Sequence, residues 1–137
     1  MFPKKIGLIS CSGEDLPEGM ISRVATRKVL ENRGDTVTIC LPLFLAGEQG
    51  ERDFAKNNPC ITVDGCEKKC AAVGVKKYGK VDPIASLVIS DIVGKKYSKP
   101  VSKSKIEVQD EKLVDETIKI INKEIEKANK EIIKNVS

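Results

Sequence analysis

Residues 5–11 read Lys-Ile-Gly-Leu-Ile-Ser-Cys, a short and nearly continuous apolar run that leads into a turn containing serine and glycine. Such a run is typical of a β-strand that is buried on both faces, as in parallel sheets with helices on either side. Cys11 follows this strand directly. We therefore expect its thiol at the carboxyl end of a buried strand.

Strands and helices alternate along the residues that follow. Apolar residues at helical spacing, from Ile21 to Val29, predict a helix that follows Pro17-Glu18-Gly19 and ends at Gly34. Further strands are expected at 35–40, 61–64 and 84–90, a short helix at 48–56 and a third helix at 66–78. This order predicts βαβ units with right-handed crossovers. The fold class is therefore α/β with three layers, a mostly parallel four-stranded sheet between helices on both faces.

The C-terminal part of the chain has a different character. Residues 95–106 are rich in lysine and serine and predict a linker between a domain core at 1–94 and a helix at 107–137. Apolar residues in that helix recur at alternating steps of four and three; they are Val114, Ile118, Ile121, Ile125, Ala128 and Ile132. We expect this long C-terminal helix of about seven turns to pack on the same domain. A homodimer formed through it is the alternative.

The composition is that of one globular domain. A length of 137 residues suits a single hydrophobic core, and 40% hydrophobic with 32% charged residues excludes disordered and membrane-spanning classes. A net charge of +4 is mild for this length and argues against a nucleic-acid partner. Histidine is absent from the sequence, which excludes Ser-His-Asp triads, Cys-His nucleophiles and metal sites that contain histidine.

The N-terminal residues fit neither a signal peptide nor a membrane helix, because a run of only four residues, 6–9, precedes the polar Ser10. We therefore expect a cytoplasmic protein with no membrane partner. In a reducing compartment, five cysteines are better interpreted as metal ligands or reactive thiols than as a disulfide framework.

The five cysteines divide by the edge of the sheet at which they fall. Cys11, Cys40 and Cys66 each come at the end of a predicted strand or directly after it, at the carboxyl edge where open α/β folds build their sites. Cys70 lies four residues after Cys66, which would place both thiols on one face of a helix. Cys60 precedes its strand and belongs at the opposite edge. Four thiols are thus predicted to converge, and the fifth is an internal control.

Cysteine thiolates are soft metal ligands, and a helix N-terminus favours ionisation of a cysteine thiol to the thiolate. Four of them suit Zn²⁺ in tetrahedral geometry or an iron–sulfur cluster. The alternative is that cysteines pack as small hydrophobic residues, which we expect for Cys60. Several sharper motifs fail: the sequence lacks a thioredoxin Cys-x-x-Cys, Val73 occupies the third position of a radical-SAM cysteine triplet, and Pro17 replaces the arginine of a Cys-x5-Arg phosphatase loop.

These residues resemble the DGC-domain family. The resemblance rests on Cys11-Ser12-Gly13, a single Cys40 after a strand, Asp64-Gly65-Cys66 with Cys70 four residues later, and the stretch from Ser90 to Lys95. The family is named for its Asp-Gly-Cys motif and is characterised by four cysteines with the potential to chelate zinc. The resemblance implies that Cys11, Cys40, Cys66 and Cys70 are the metal ligands.

Two carboxylates are predicted beside these cysteines. Asp64 and Asp91 could support the metal ligands or bind a substrate, but for Asp64 the commoner role is to cap the amides that open the next helix. No catalytic residue is assigned. The function that these features predict is metal binding, with zinc as the expected ion, in a sensor, carrier or accessory role. A cysteine-based redox or sulfur-transfer enzyme, or an iron–sulfur protein, is the alternative, and no protein partner is indicated.

Overall fold

Four parallel strands form the central layer of the protein. The computed structural model describes residues 5–11, 16–92 and 111–136, with side chains as far as 134. The strands are β1 (Ile6–Ser10), β2 (Thr36–Thr38), β3 (Cys60–Asp64) and β4 (Ala85–Val88), in the order β2-β1-β3-β4. Every pairing between them is parallel, which confirms the predicted α/β class.

Helices cover both faces of this sheet. Their bounds are α1 (Pro17–Asn32), α2 (Leu41–Leu45), α3 (Gln49–Asn57), α4 (Cys70–Gly74), which continues into a π-helical turn (Val75–Gly79), α5 (Ile89–Ile92) and α6 (Glu111–Val136). Within the described residues, no helix is long and apolar enough to cross a membrane. The predicted linker at 95–106 lies outside the described residues, so the division into core, linker and helix stays a prediction.

The sheet separates two hydrophobic clusters. On one face, Ile6 and Leu8 of β1 pack with apolar residues of α1, α5 and α6. On the other face, Ile9 packs with α2, α3 and α4. β1 has partners on both sides and is buried on both faces, which is why its sequence is continuously apolar rather than alternating.

The strand order creates a topological switch point between β1 and β3. From β1 the chain passes through α1 to β2 on one side, whereas from β3 it passes through α4 to β4 on the other. The chain therefore leaves β1 and β3 towards opposite sides of the sheet at this point of the carboxyl edge. Open α/β folds bind their ligands near such a switch point.

Two helices differ from the prediction. The helix predicted at 66–78 begins instead at Cys70, because Lys69 adopts a left-handed backbone conformation with φ of 52°. α2 was not predicted at all, although Pro42 lies at a first-turn position that favours proline. The strand expected at 84–90 ends at Val88. Ile89 and Ser90, which were predicted to belong to this strand, lie instead in the first turn of α5.

The long C-terminal helix packs on the domain as expected. Its apolar stripe joins the cluster formed by β1 and α1, where Ile121 and Ile125 are fully buried. A polar contact ties it to the loop after α1: the Arg33 guanidinium donates two hydrogen bonds to Asp35, at 3.0 and 2.9 Å, and one to Glu126 at 2.7 Å. Among the described residues, α6 therefore packs against β1 and α1.

We expect Ile125→Ala to lower the free energy of unfolding by about 2 to 5 kcal/mol, since it removes a fully buried side chain and leaves a cavity. Urea denaturation measures this loss. Ile133→Ala on the same helix is the matched control, because Ile133 is 65% exposed and its truncation should change stability by less than about 0.5 kcal/mol. Equal effects of the two substitutions would contradict the packing of α6.

Asp35 gives a testable pH dependence. Its hydrogen bonds from Arg33, followed by the one from Asn129, lower the pKa of the carboxyl from 3.8 to about 2. The stabilisation is therefore present above pH 3.8 and is lost as the pH falls towards 2. Asp35→Asn should lower the free energy of unfolding at pH 7 by only about 1 kcal/mol, because solvent screens the ion pair of Asp35 with Arg33. The variant should no longer lose this stabilisation as the pH falls. Urea denaturation at several pH values measures both effects. Asp82→Asn is the control: because Asp82 is 87% exposed, this variant should change neither the stability at pH 7 nor its dependence on pH.

Candidate functional site

Three cysteines lie at the carboxyl edge of the sheet, as their positions predict. Cys11 directly follows β1, Cys40 lies two residues after β2, and Cys66 lies two residues after β3. Cys70 is the first residue of α4, so it is near the same edge but not on a common helix face with Cys66. Cys60 is the first residue of β3 and lies at the amino edge.

Cys11 is held in a buried hydrogen-bonded chain. The amide of Gly65 donates to its Sγ at 3.2 Å, and its Sγ lies 3.5 Å from the hydroxyl of Ser22, which donates to the carbonyl of Gly19 at 2.7 Å. Because Ser22 has a single hydrogen and directs it to Gly19, the Cys11 thiol is the donor to Ser22. Cys11 is only 8% exposed, so this thiol is fixed in position.

The Cys11 thiol is electrostatically linked to the Asp-Gly-Cys segment. Burial raises the pKa of this thiol, while the hydrogen bonds with Ser22 and Gly65 oppose the rise. Electrostatic repulsion by Asp64 and Cys70 also contributes to the raised pKa of Cys11. In the ligand-free protein, Cys11 therefore favours the protonated thiol.

Asp64 caps the helix that begins six residues later. Its two carboxylate oxygens accept hydrogen bonds from the amides of Ala71 at 2.7 Å and Ala72 at 3.1 Å. Burial raises the pKa of Asp64, and the two amides together with the charge of Lys69 oppose the rise. The capping role expected for Asp64 is thus confirmed. Asp91 lies exposed in α5.

Gly65 joins three elements at the switch point. Its amide donates to Cys11, and its carbonyl accepts from the amide of Ser90 at 3.0 Å. A Cβ atom at Gly65 would lie 2.6 Å from the amide nitrogen of Gly19 and 2.8 Å from its Cα. Only glycine allows the turn after β3 to approach the first turn of α1 this closely, so Asp64 and Gly65 of the Asp-Gly-Cys motif have distinct structural roles.

The remaining thiols of the edge are accessible. Cys40 and Cys70 are exposed and Cys66 is partly exposed, and Cys40 lines a groove of about 380 Å³ together with Cys11. Within the described part of the chain, no three cysteine, aspartate or glutamate side chains are placed so that they could hold one metal ion. Cys11 and Cys40 thus share a groove, while the described cysteines of this edge do not form a coordination sphere.

Cys60 has a different environment. It is buried in the cluster against α3, and its Sγ lies 3.4 Å from the carbonyl oxygen of Asn58. Burial raises the pKa of this thiol to about 12. Cys60 therefore behaves as a small core residue, in accordance with its expected role as the control.

One buried acid at this edge was not singled out by sequence. Glu18, in the first turn of α1, is 2% exposed, and its Oε2 has no hydrogen-bond partner within the described residues. Burial raises the pKa of this carboxyl. In the sequence, a glutamate next to Pro17 looks like an ordinary exposed residue in the first turn of a helix. The burial of Glu18 could therefore not be inferred without knowing that the turn at Gly65 packs on this part of α1.

We expect Gly65→Ala to lower the free energy of unfolding by about 3 kcal/mol, because the added methyl group overlaps the backbone of α1. Thermal denaturation measures the change. Gly34→Ala is the matched control, since nothing lies within 4 Å of its added Cβ, and its effect should stay within about 1 kcal/mol of zero. A Gly65→Ala protein as stable as Gly34→Ala would contradict the close approach.

The sequence matches a protein-family model. The model of the DGC domain matches residues 7–117, which is more than half of the chain and includes all five cysteines. Neither the search of curated proteins nor the search of solved structures found a match. The chain belongs to the DGC-domain family.

Proposed function

We propose that this protein binds Zn²⁺ through the thiolates of Cys11, Cys40, Cys66 and Cys70. The observation that carries the proposal is the hydrogen bond from Gly65 to Cys11, which links the cysteine after β1 to the Asp-Gly-Cys segment after β3. This link lies at the switch point, where open α/β folds bind ligands.

The donor set suits zinc. Four thiolates are a common ligand set for structural Zn²⁺, and the sequence contains no histidine that could replace one of them. Cys11 is fixed by its hydrogen bonds, whereas Cys40 and Cys70 are exposed. Coordination therefore requires the exposed cysteines to move towards the fixed one, and the metal site is assembled by binding.

A site of this kind suits a carrier, sensor or accessory protein. The two hydrophobic clusters contain buried residues from every layer, so the fold does not depend on a metal for its core. The accessible thiols lie at the surface, where a metal ion can enter and leave. The ion is then transported or sensed by the protein and is not a structural ion that the fold requires.

The test combines metal analysis with single substitutions. Protein purified without oxygen and incubated with Zn²⁺ should hold one equivalent by elemental analysis. Serine at position 11, 40, 66 or 70 should weaken zinc binding by more than about a hundredfold, because the loss of a ligand exceeds the 10- to 100-fold effect of an outer-shell change. A competition titration with a chromogenic chelator measures the affinity.

Cys60→Ser is the matched control and should retain the wild-type affinity, since Cys60 lies at the opposite edge. Loss of zinc in Cys60→Ser alone would contradict the proposal, as would full retention in all four other variants. A brown protein with visible absorption would instead favour the iron–sulfur alternative. Rapid alkylation of one thiol in zinc-loaded protein, with loss of a redox or sulfur-transfer activity, would favour an enzyme.

Removal of the metal should leave the fold in place. We expect chelated protein to keep its far-ultraviolet circular dichroism and a cooperative thermal transition, with a lower midpoint, because ligand binding stabilises the folded state. Loss of cooperative unfolding on chelation would show a structural role for the ion.

A homodimer through α6 also stays a proposal. The apolar stripe of α6 is buried within the protomer, so a dimer would use the outer face of this helix.

A further inference from the structure

The groove that contains Cys11 and Cys40 has a distinctive lining. It lies between α1 and the segment that follows β2, at the carboxyl edge of the sheet, and has a volume of about 380 Å³. Leu30, Ile39 and Leu41 form apolar parts of its wall. A volume of this size suits a small organic molecule rather than a single ion.

The charges that line the groove have one sign. Arg23 and Arg27, one helical turn apart on α1, are its charged lining residues, and no described aspartate or glutamate lines it. Arg23 has no ion-pair partner among the described residues. Arg27 has a contact of 3.7 Å with Glu31, but both side chains are more than half exposed, so the pair is weak. Among the described residues, neither guanidinium group is thus engaged in a buried ion pair.

The groove also contains polar groups that a ligand could use. Thr26, on α1 between the two arginines, lines the groove, and its buried hydroxyl has no hydrogen-bond partner within the described residues. A buried hydroxyl without a partner is unfavourable, and such a group marks a place where a partner is missing. Ser10 and Thr38 add further hydroxyl groups from the ends of β1 and β2.

We propose that this groove binds a small organic anion that carries a carboxylate or phosphate group, with the anionic end at Arg23 and Arg27 and the organic part against the apolar wall. Guanidinium groups recognise the planar or tetrahedral oxygens of these anions by paired hydrogen bonds. The binding places the organic part of the ligand beside Cys11 and Cys40. This site does not depend on the proposed zinc site, although the two share these cysteines.

Isothermal titration calorimetry on the full chain tests the proposal. The probes are succinate and glycerol 3-phosphate, with glycerol as the uncharged comparison. We expect saturable binding of at least one anion at millimolar concentration and none of glycerol. Binding of succinate alone or of glycerol 3-phosphate alone identifies which oxyanion the site accepts. Absence of saturable binding of either probe up to about 10 mM overturns the proposal.

Arg23→Gln should weaken the binding of that anion by about tenfold, the usual effect of losing a charged hydrogen bond. Lys28→Gln is the matched control, because it removes the same charge from the same helix at a position outside the groove, and it should change the affinity less than about twofold. Equal weakening by both variants would overturn the proposal, since it would indicate general charge attraction.

Cys70→Ser separates this proposal from the zinc site. Cys70 is a proposed zinc ligand but does not line the groove, so this variant should lose zinc affinity and retain anion binding. Retention of zinc with normal anion binding would count against the proposed function alone. Loss of anion binding in Cys70→Ser would overturn the independent site and would mean that the anion binds through the metal.

Discussion

The Cα atom of Gly65 packs against the backbone of Gly19, in a contact that leaves no room for a side-chain carbon. The turn after β3 and the first turn of α1 therefore touch backbone to backbone at the switch point. At the same turn, the Gly65 amide lies 3.2 Å from the Cys11 sulfur. The candidate site thus depends on the absence of one methyl group.

The same edge concentrates buried groups that would be more stable in water. Asp64, Cys11 and Glu18 are all nearly inaccessible, and burial raises the pKa of each. Hydrogen bonds from two helix amides offset the lost hydration of Asp64, and a hydrogen-bonded chain does so for Cys11. Oε2 of Glu18 has no hydrogen-bond partner among the described residues. Apolar clusters on both faces of the sheet supply the stability that this edge lacks. Concentration of perturbed titratable groups at one edge is typical of functional sites.

The elements with a strong and unbroken periodicity could be predicted from the sequence. β1, α1 and α6 fall close to their predicted positions, and the edge assigned to Cys11, Cys40 and Cys66 followed from the single rule that parallel strands end at the same edge. The predicted helix at 66–78 started too early, because Lys69 adopts a left-handed backbone conformation directly before Cys70. The capping role of Asp64 was expected from the sequence, but the residue at which the capped helix begins was not.

Other features required the tertiary structure. α2 consists of only five residues, too few to show a helical period. The groove beside Cys40 is formed by residues from β1, α1 and the segment after β2, and its arginines look in the sequence like ordinary exposed residues of an amphipathic helix.

The position of α6 has a consequence for the biosynthesis of the protein. β1 is synthesised before α6, yet Ile6 and Leu8 complete their packing only with Ile121 and Ile125 of that helix. On the ribosome, the strand that will become the centre of the sheet therefore emerges long before the helix that covers it. The nascent chain exposes apolar surface throughout this interval and is open to aggregation or to capture by chaperones. Folding of this face must await the emergence of α6 from the ribosome.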